Sequence, residues 1–413
     1  MEDTDRYPYD EMFVPGERLK ALCSGLPTPF YLYDETGLRR TARAIREAFS
    51  WCADFREFFP VRLTPNPVIM RLLREEGLGA ACCSATELAL AEWCGFYGDE
   101  LLYDTVFPDR EALHLADRLH AAFVADSFAA ADACLMLGFV PKKVVLRYNP
   151  GGKVTAGLHT IAHPERSKLG MDREALFASL RAFRESGVKR FGLQTTLTTQ
   201  TLEPRYLEAV VQLLLPLAEE LQTVLGVRVE SCNLSGGAGL GFLPELPNAD
   251  LFAMADGVRR LAGAAGCTVP ELHTEFGRYL TGQNGIFVSR VLCVKSSYRN
   301  YLVLDGTLSQ FIRPMTNAYH HVSIAGKMQR SERTYYDVVS AMPDIAERFA
   351  VRRLLPRAEV GDLCVIHDAG FRGAAMQTGF GGSLRCAEYL YTASAELRQI
   401  ARADTSKDYF RAW

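Results

Sequence analysis

Apolar residues in the first two-thirds of the chain alternate between short continuous runs and longer segments in which they recur every three or four positions. After Asp34, for example, Leu38, Ala42, Ile45 and Phe49 follow the spacing of one helix face, which is typical of an amphipathic helix. The short apolar runs are typical of buried strands. Eight such strands are predicted, at residues 55–63, 79–83, 101–106, 121–126, 143–148, 190–196, 227–234 and 271–275.

Helical segments separate nearly all of these strands, which predicts that the strands pair in parallel. Eight strand–helix units in about 250 residues is the size expected of a (β/α)8 TIM barrel. The loop at residues 149–170 is rich in Gly, His and Lys. It is too long for a plain connection, so we expect it to border a site.

From about Gly285 the apolar runs are separated by turns, with no regular helix between them, which is typical of antiparallel β structure. Strands are predicted here at residues 287–294, 301–304, 334–340, 363–367 and 384–391. The predicted fold class is therefore α/β. An N-terminal segment at residues 1–27 precedes a TIM barrel at residues 28–284, and a mostly antiparallel β-domain follows at residues 285–413.

Composition and charge exclude several classes of function but add little to the predicted fold. The 413 residues are 48% hydrophobic and 23% charged, with a net charge of −3, which is ordinary for a globular protein and disfavours nucleic-acid binding. No apolar run reaches about 18 residues and the N-terminus lacks an apolar core, so we expect neither a membrane span nor a secretory signal. The 11 Cys lack metal-ligand spacing and the eight His are dispersed, so we predict a cytoplasmic protein with reduced thiols and no metal.

Candidate chemistry lies where the last two predicted strands end, because the working face of a TIM barrel is at the C-terminal ends of its strands. Ser235-Gly-Gly-Ala-Gly239 follows strand seven, and Glu275-Phe-Gly-Arg278 follows strand eight. Glycines allow bare backbone amides to approach an anion, and Arg278 can grip it. We predict a phosphate- or carboxylate-binding site here. The alternative is a plain glycine turn beside a surface arginine.

These motifs, together with five others in the same order and spacing, resemble the fold-type III pyridoxal-phosphate decarboxylases, a family that includes diaminopimelate, ornithine and arginine decarboxylases. The diaminopimelate branch is the most similar. The other motifs are Thr28-Pro-Phe-Tyr-Leu-Tyr-Asp34, Ser84-Ala-Thr-Glu-Leu88, Ser167-Lys-Leu-Gly170, Ile312-Arg-Pro-Met315 and Asp368-Ala-Gly370, and the glycine motif begins at Asn233.

The resemblance implies a barrel plus β-domain, usually a head-to-tail homodimer with sites at the interface, and an N-terminal segment that packs on the β-domain. It implies pyridoxal phosphate as cofactor, held by a lysine as a Schiff base while the ring accepts electrons as carbon dioxide leaves. Glu275 falls at the position of the ring-nitrogen carboxylate, and Arg313 at a substrate-carboxylate position. The phosphate positions are occupied by Gly236, Gly237, Gly277 and Arg278.

Five positions depart from the family pattern. Arg62 stands where the family has its lysine, and Thr196 where it has a histidine that stacks on the ring. Pro343 replaces a cysteine that acts in proton transfer, Asp344 a glutamate that contacts substrate, and Arg372 a tyrosine. A further substrate-contacting tyrosine falls at or near Asn317.

A guanidinium stays protonated in proteins and cannot form the ordinary Schiff base. Lys153 and Lys168 in the long loop are the alternative amines. Arg62 and Arg372 are expected to make the pocket more cationic. Two buried cations need an anionic partner, which predicts a small anionic ligand.

The internal alternative is neutralisation by Glu275 and Asp344. The main hypothesis is a family member with a degenerate active site that no longer decarboxylates through a Schiff base. It binds a phosphate- or carboxylate-bearing ligand, or regulates an active paralogue through the dimer interface. The expected assembly is a homodimer, or a heterodimer with an active paralogue. The alternative is an active decarboxylase of a specialised pathway that holds pyridoxal phosphate non-covalently. A purely structural partner is the third hypothesis.

Overall fold

The structure is a computed structural model that describes residues 12–156, 159–243, 245–264, 270–316 and 319–412. Its strands are β1 (Phe30–Asp34), β2 (Arg56–Pro60), β3 (Gly79–Cys82), β4 (Leu101–Thr105), β5 (Ala122–Ala125), β6 (Lys143–Arg147), β7 (Val154–Ala156), β8 (His159–Ala162), β9 (Arg190–Gln194), β10 (Val229–Asn233), β11 (Glu271–Thr274), β12 (Gly285–Ser296), β13 (Asn300–Leu304), β14 (Val322–Ile324), β15 (Arg333–Ser340), β16 (Arg348–Pro356), β17 (Leu363–Ile366), β18 (Ala387–Tyr391) and β19 (Leu397–Ala401).

Its α-helices are α1 (Gly16–Leu22), α2 (Glu35–Ala48), α3 (Pro67–Glu75), α4 (Ala85–Trp93), α5 (Arg110–Arg118), α6 (Phe128–Met136), α7 (Arg173–Glu185), α8 (Tyr206–Leu225), α9 (Leu251–Ala264), α10 (Gly277–Thr281) and α11 (Ser406–Tyr409). Several of the helices that follow strands begin at a Ser or Asp whose side chain accepts the amide three residues on, as Ser127 does from Ala130 at 3.1 Å. Such caps satisfy amides that the helix leaves open. No helix in the described ranges is long and apolar enough to cross a bilayer.

The predicted TIM barrel is confirmed. Strands β2, β3, β4, β5, β6, β9, β10 and β11 close into one barrel in that order, with every neighbour parallel. Side chains alternate between the two faces of a strand, and a group of inward-facing apolar residues fills the barrel. Two positions beyond Leu102, Val124 and Val145 of that group come Asp104, Asp126 and Arg147. The C-terminal end of the barrel is therefore polar inside, above an apolar layer.

The chain divides into two compact units. The barrel unit comprises Arg39–Leu240 and Ala249–Tyr279, and the second unit holds the other described residues. The core of the second unit is a nine-stranded sheet in the order β16-β15-β13-β12-β1-β18-β19, with β17 paired to β12 and β14 paired to β17. Most of its pairs are antiparallel, as predicted, and two are parallel.

Strand β1 was not predicted, and it lies in this sheet, although the predicted barrel domain begins at residue 28. Phe30 pairs with Val288 of β12 and with Ala387 of β18. All five residues of β1 are buried, so burial alone does not distinguish this strand from a strand of the barrel. Leu19 and Cys23 from the N-terminal segment pack in the same apolar core.

Other elements also differ from the prediction. The first barrel strand ends at Pro60, and Val61–Leu63 form a separate 3-10 turn. The loop at 149–170 contains the hairpin of β7 and β8. Strands β14, β16 and β19 were not predicted. Arg348–Pro356 of β16 exposes several side chains, which removes the continuous apolar run that marks a buried strand.

Candidate functional site

A continuous polar network crosses the C-terminal end of the barrel. Each of its six side chains is at least nine-tenths buried. They come from the ends of six different strands, and they are Asp104, Asp126, Arg147, Gln194, Asn233 and Glu275. Because neighbouring strands of a parallel barrel end at the same face, inward-facing residues at these ends meet.

Glu275 is the carboxylate at one end of this network. Its Oε1 accepts hydrogen bonds from Gln194 Nε2 at 2.9 Å and from Asn233 Nδ2 at 2.8 Å. Burial, and secondly the charge of Asp104, raise the pKa of Glu275 to about 7, against the opposing charges of Arg62 and Arg147. Within the described part of the chain, no hydrogen-bond donor contacts its Oε2. This oxygen is therefore available to a ligand.

Arg147 is the buried cation of the network. Its guanidinium donates to Asp126 Oδ1 at 2.6 Å and also to Asp104, and its Nη2 lies 3.5 Å from Gln194 Oε1. Asp126 also accepts the Gly170 amide at 3.1 Å, which ties the end of the long loop to the barrel. Two carboxylates thus share one guanidinium, so ionisation of Glu275 adds to an excess of negative charge.

The glycine loop after β10 presents open backbone amides. The N–H groups of Gly236 and Gly237 have no acceptor among the residues that the structure describes. Gly237 has φ +124°, and a Cβ there would lie 2.3 Å from the Tyr206 ring, so glycine is required. Thr201 holds the loop by donating its amide to Gly237 O at 2.8 Å. Two adjacent open amides on a fixed backbone form an anion-binding concavity.

Arg278 is tied to this loop through one glutamine. Gln200 Oε1 accepts from Arg278 Nη1 at 3.2 Å and from the Leu240 amide at 3.2 Å. A Cβ on Gly277 would lie 2.5 Å from Leu63 and 2.7 Å from Pro60, so this glycine lets the turn that carries Arg278 pack on the end of β2. The predicted phosphate residues are therefore close in the fold.

Arg62 and Thr196 lie in the barrel unit, but the expectation that Arg62 is buried is wrong. The 3-10 turn buries Val61 and Leu63 and leaves Arg62 exposed. Its charge still lowers the pKa of Glu275. The Thr196 hydroxyl lies 2.9 Å from that of Ser235 in the glycine loop.

The other candidates belong to the second unit. Arg313 is buried there, 4.4 Å from the centroid of the Phe371 ring, and burial together with the charge of Arg372 lowers the pKa of Arg313 to about 10. Arg372 is half-buried. Pro343 and Asp344 are exposed between β15 and β16, so Asp344 is not the buried counter-charge that the sequence suggested. Asn317 lies outside the described residues.

Among the residues that the structure describes, the barrel unit has no buried lysine at this end of the barrel. Of its lysines in the described ranges, Lys143 alone is buried, and it lies at the start of β6, 3.4 Å from Glu271. That is the opposite end from the network. Lys153 and Lys168 are exposed. The residues therefore fit the phosphate and the protonated ring nitrogen of pyridoxal phosphate, whereas they offer no lysine for its covalent attachment.

Sequence reasoning missed the roles of Asp104, Asp126 and Arg147. The available signal was positional: each lies at the C-terminal end of a short buried strand or directly after it, at an inward-facing position where a polar residue interrupts an apolar face. Asn233 begins the glycine motif and Gln194 lies two residues before Thr196, but nothing in the local pattern predicts that both side chains bind one carboxylate.

Comparison with known proteins gives three findings. The profile of the family described as pyridoxal-dependent decarboxylase, pyridoxal binding domain, matches residues 36–282. Protein TabA of Pseudomonas amygdali pv. tabaci is 34% identical over 396 residues, which cover 95% of this chain and 92% of TabA. Diaminopimelate decarboxylase of Archaeoglobus fulgidus is 27% identical over 400 residues, covering 91% of both chains.

Solved structures share the fold. Diaminopimelate decarboxylase from M. jannaschii in complex with L-lysine superposes with a TM-score of 0.87 at 21% identity, covering 96% of this chain and 94% of that one. The Helicobacter pylori enzyme complexed with L-lysine gives a TM-score of 0.85 at 21% identity, with coverage of 95% and 98%.

Proposed function

Since this chain belongs to the family of pyridoxal-dependent decarboxylases, we propose that it binds pyridoxal phosphate, or a similar phosphate-bearing ring, reversibly and without covalent attachment. The observation that carries the proposal is the exposed guanidinium of Arg62 at the lysine position, beside a barrel end that keeps its acidic and glycine groups. A conventional Schiff-base decarboxylation is not proposed for this chain.

The phosphate end of the ligand is assigned to the glycine loop. Gly236 and Gly237 offer two open amides, and Arg278, whose guanidinium also contacts Gln200 and Thr199, adds a positive charge. Hydrogen bonds to a charged partner contribute about 1.5–3 kcal/mol each. An arginine and two amides are therefore sufficient for a micromolar to millimolar phosphate site after the costs of association are subtracted.

The ring end is assigned to Glu275. Its Oε1 is fixed by Gln194 and Asn233, and its Oε2 can accept a hydrogen bond from a protonated ring nitrogen. Asp104 and Asp126 outnumber Arg147 in this layer, so the layer favours a group that brings a proton or a positive charge. The sequence had suggested a pocket enriched in buried cations. The distribution of charge instead supports a ligand with an anionic end and a protonated end.

Pyridoxal phosphate, when bound, supplies an electron sink at its ring nitrogen. The residues of this chain would orient the ring through Glu275 and hold its phosphate through Arg278. Thr196 occupies the position of a stacking histidine and offers a hydroxyl, already close to Ser235 at 2.9 Å, in place of an aromatic face. The positions of the family's proton-transfer and substrate-contacting side chains are held by Pro343 and Asp344.

A second candidate is an active decarboxylase that holds pyridoxal phosphate non-covalently. The intact hydrogen bonding of Glu275 favours it, because the ring contact remains built. Arg313 is then the residue we propose for a substrate carboxylate. Release of carbon dioxide from a panel of amino acids, lost in Arg278→Ala, would select this candidate over a binding protein.

The assembly is also a proposal. The loop between β15 and β16 is exposed, with Ile345 at 89% of its full accessibility. In the resembled family this part of the chain reaches a neighbouring subunit, so we infer a homodimer or a heterodimer with an active paralogue.

Native mass spectrometry of the purified protein tests ligand and assembly together. We expect a dimer mass and retention of added pyridoxal phosphate under native conditions, with competition by inorganic phosphate. Titration calorimetry with pyridoxal phosphate and with phosphate gives the two affinities. Absence of binding to both probes would exclude the proposed function.

A further inference from the structure

Glu57 is a fully buried carboxyl that the sequence analysis did not single out. It lies on β2 and is 1% exposed. Its Oε2 accepts a hydrogen bond from the Thr274 hydroxyl at 2.5 Å, and its Oε1 accepts one from the Phe276 amide at 2.6 Å. No basic side chain in the described ranges forms an ion pair with it. Burial of a carboxyl without a cation is costly. A role for the two hydrogen bonds that it makes would explain why it is placed here.

The two donors flank Glu275 on both sides along the chain. Thr274 is the register partner of Glu57 across β2 and β11, so the two side chains lie on the same face of the sheet. Since successive residues of a strand alternate between faces, Glu275 points to the opposite face, into the barrel, where Gln194 and Asn233 bind it.

We propose that Glu57 is a positioning residue for Glu275. Its carboxyl bridges the residues before and after Glu275 and thereby fixes the direction in which that side chain leaves the end of β11. The inference rests on the proposed function in so far as Glu275 contacts the ring of the ligand. Glu57 itself acts from the outer face of the barrel wall and does not reach the ligand.

The two hydrogen bonds are matched to a carboxyl group. The Phe276 amide follows the last residue of the strand and is buried, so loss of its acceptor leaves an unsatisfied N–H. A glutamine keeps an acceptor oxygen for this amide, and its amide group can pair with the Thr274 hydroxyl. A leucine of similar volume keeps the packing but removes both acceptors.

The test compares Glu57→Gln, Glu57→Leu and Thr274→Val with the wild type, using pyridoxal phosphate and inorganic phosphate as probes in calorimetry. We expect Glu57→Leu to weaken pyridoxal phosphate binding by about tenfold or more and inorganic phosphate binding by less than about twofold, because only the ring contact depends on Glu275. Glu57→Gln should restore the affinity to within about threefold of wild type. Thr274→Val, which removes one donor, should fall between them.

Equal loss of both probes, or unchanged pyridoxal phosphate affinity in Glu57→Leu, would overturn the proposal. If Glu57→Leu does not fold, Thr274→Val replaces it, and its loss of affinity for pyridoxal phosphate is compared with its loss of affinity for inorganic phosphate.

Crystal structures of the ligand-free variants supply a measurement that does not depend on the proposed function. Loss of the 2.9 and 2.8 Å contacts of Glu275 with Gln194 and Asn233 in Glu57→Leu or Thr274→Val supports the positioning role, and their retention contradicts it. Failure of the wild type to bind either probe contradicts the proposed function alone.

Discussion

The side-chain amide of Gln194 donates a hydrogen bond of 2.9 Å to Oε1 of Glu275, from the sixth barrel strand to the end of the eighth. The same glutamine lies 3.5 Å from Arg147, whose guanidinium binds Asp126 at 2.6 Å. A buried network of this kind fixes its members when its donors and acceptors are matched. Glu275 is therefore held in place by the chain's own side chains.

Replacement of Arg62 by lysine supplies an amine at the position where the family carries one. We expect Arg62→Lys to form a borohydride-reducible adduct with pyridoxal phosphate at residue 62, because this variant keeps the proposed phosphate and ring contacts. Peptide mapping after reduction locates the adduct. Arg62→Gln is the matched control, since it removes the charge without adding an amine. Absence of a reducible adduct at residue 62 in Arg62→Lys would contradict the assignment of the site.

Removal of the Arg278 guanidinium should weaken anion binding. A charge-assisted hydrogen bond of about 1.5–3 kcal/mol corresponds to a loss of about 10- to 100-fold in the affinity of Arg278→Ala for phosphate and for pyridoxal phosphate. Calorimetry measures both. Arg181→Ala is the control, because Arg181 is an exposed residue of α7. Similar affinities in the two variants would place the phosphate elsewhere.

We expect Arg147 to contribute strongly to the free energy of unfolding, because its guanidinium pairs with two buried carboxylates. Arg147→Met leaves Asp104 and Asp126 buried without their cation, which costs about 3–5 kcal/mol in the free energy of unfolding. Urea denaturation at neutral pH measures the loss. Arg357→Ala breaks a pair in which both side chains are 73% exposed, and we expect a change of less than about 1 kcal/mol. Equal losses in the two variants would refute the buried network.

The raised pKa of Glu57 predicts that the stability of the fold depends on pH. Burial, first, and the charge of Glu275 raise the pKa of Glu57 from 4.5 to about 8, although its two hydrogen bonds oppose the rise. Between these values the unfolded chain loses the proton that the folded chain keeps. Stability from this group therefore falls as pH rises, by up to about 1.4 kcal/mol per pH unit.

Glu57→Gln lacks this titration, so its stability relative to wild type should increase from pH 5 to pH 8. Urea denaturation across this interval measures the difference between the two free energies of unfolding. Parallel curves for the two proteins would show that Glu57 titrates normally.

The barrel could be predicted because eight short apolar runs alternate with segments that have the apolar spacing of helices. So regular an alternation is typical of parallel strands joined by helices. Strand β1 was not predicted, and its residues were placed in the barrel domain, because Phe30–Asp34 is buried throughout and local pattern does not identify the sheet to which such a segment belongs. Strand β16 was missed because its exposed residues break the apolar signal.

At the site, the glycine loop and Glu275 could be found from motif order. The exposure of Arg62 could not, because it depends on a 3-10 turn that begins one residue after Pro60. Glu57 was equally hidden, since only the register between β2 and β11 places it opposite Thr274.

The most direct measurement is the intact mass of the wild-type protein after incubation with one equivalent of pyridoxal phosphate, borohydride reduction and denaturation. A parallel native spectrum reports total binding. We expect the native protein to carry the ligand and the reduced, denatured chain to have the mass of the unmodified polypeptide. A chain heavier by one reduced pyridoxyl phosphate, mapped to Lys153, Lys168 or another single lysine, would contradict this expectation.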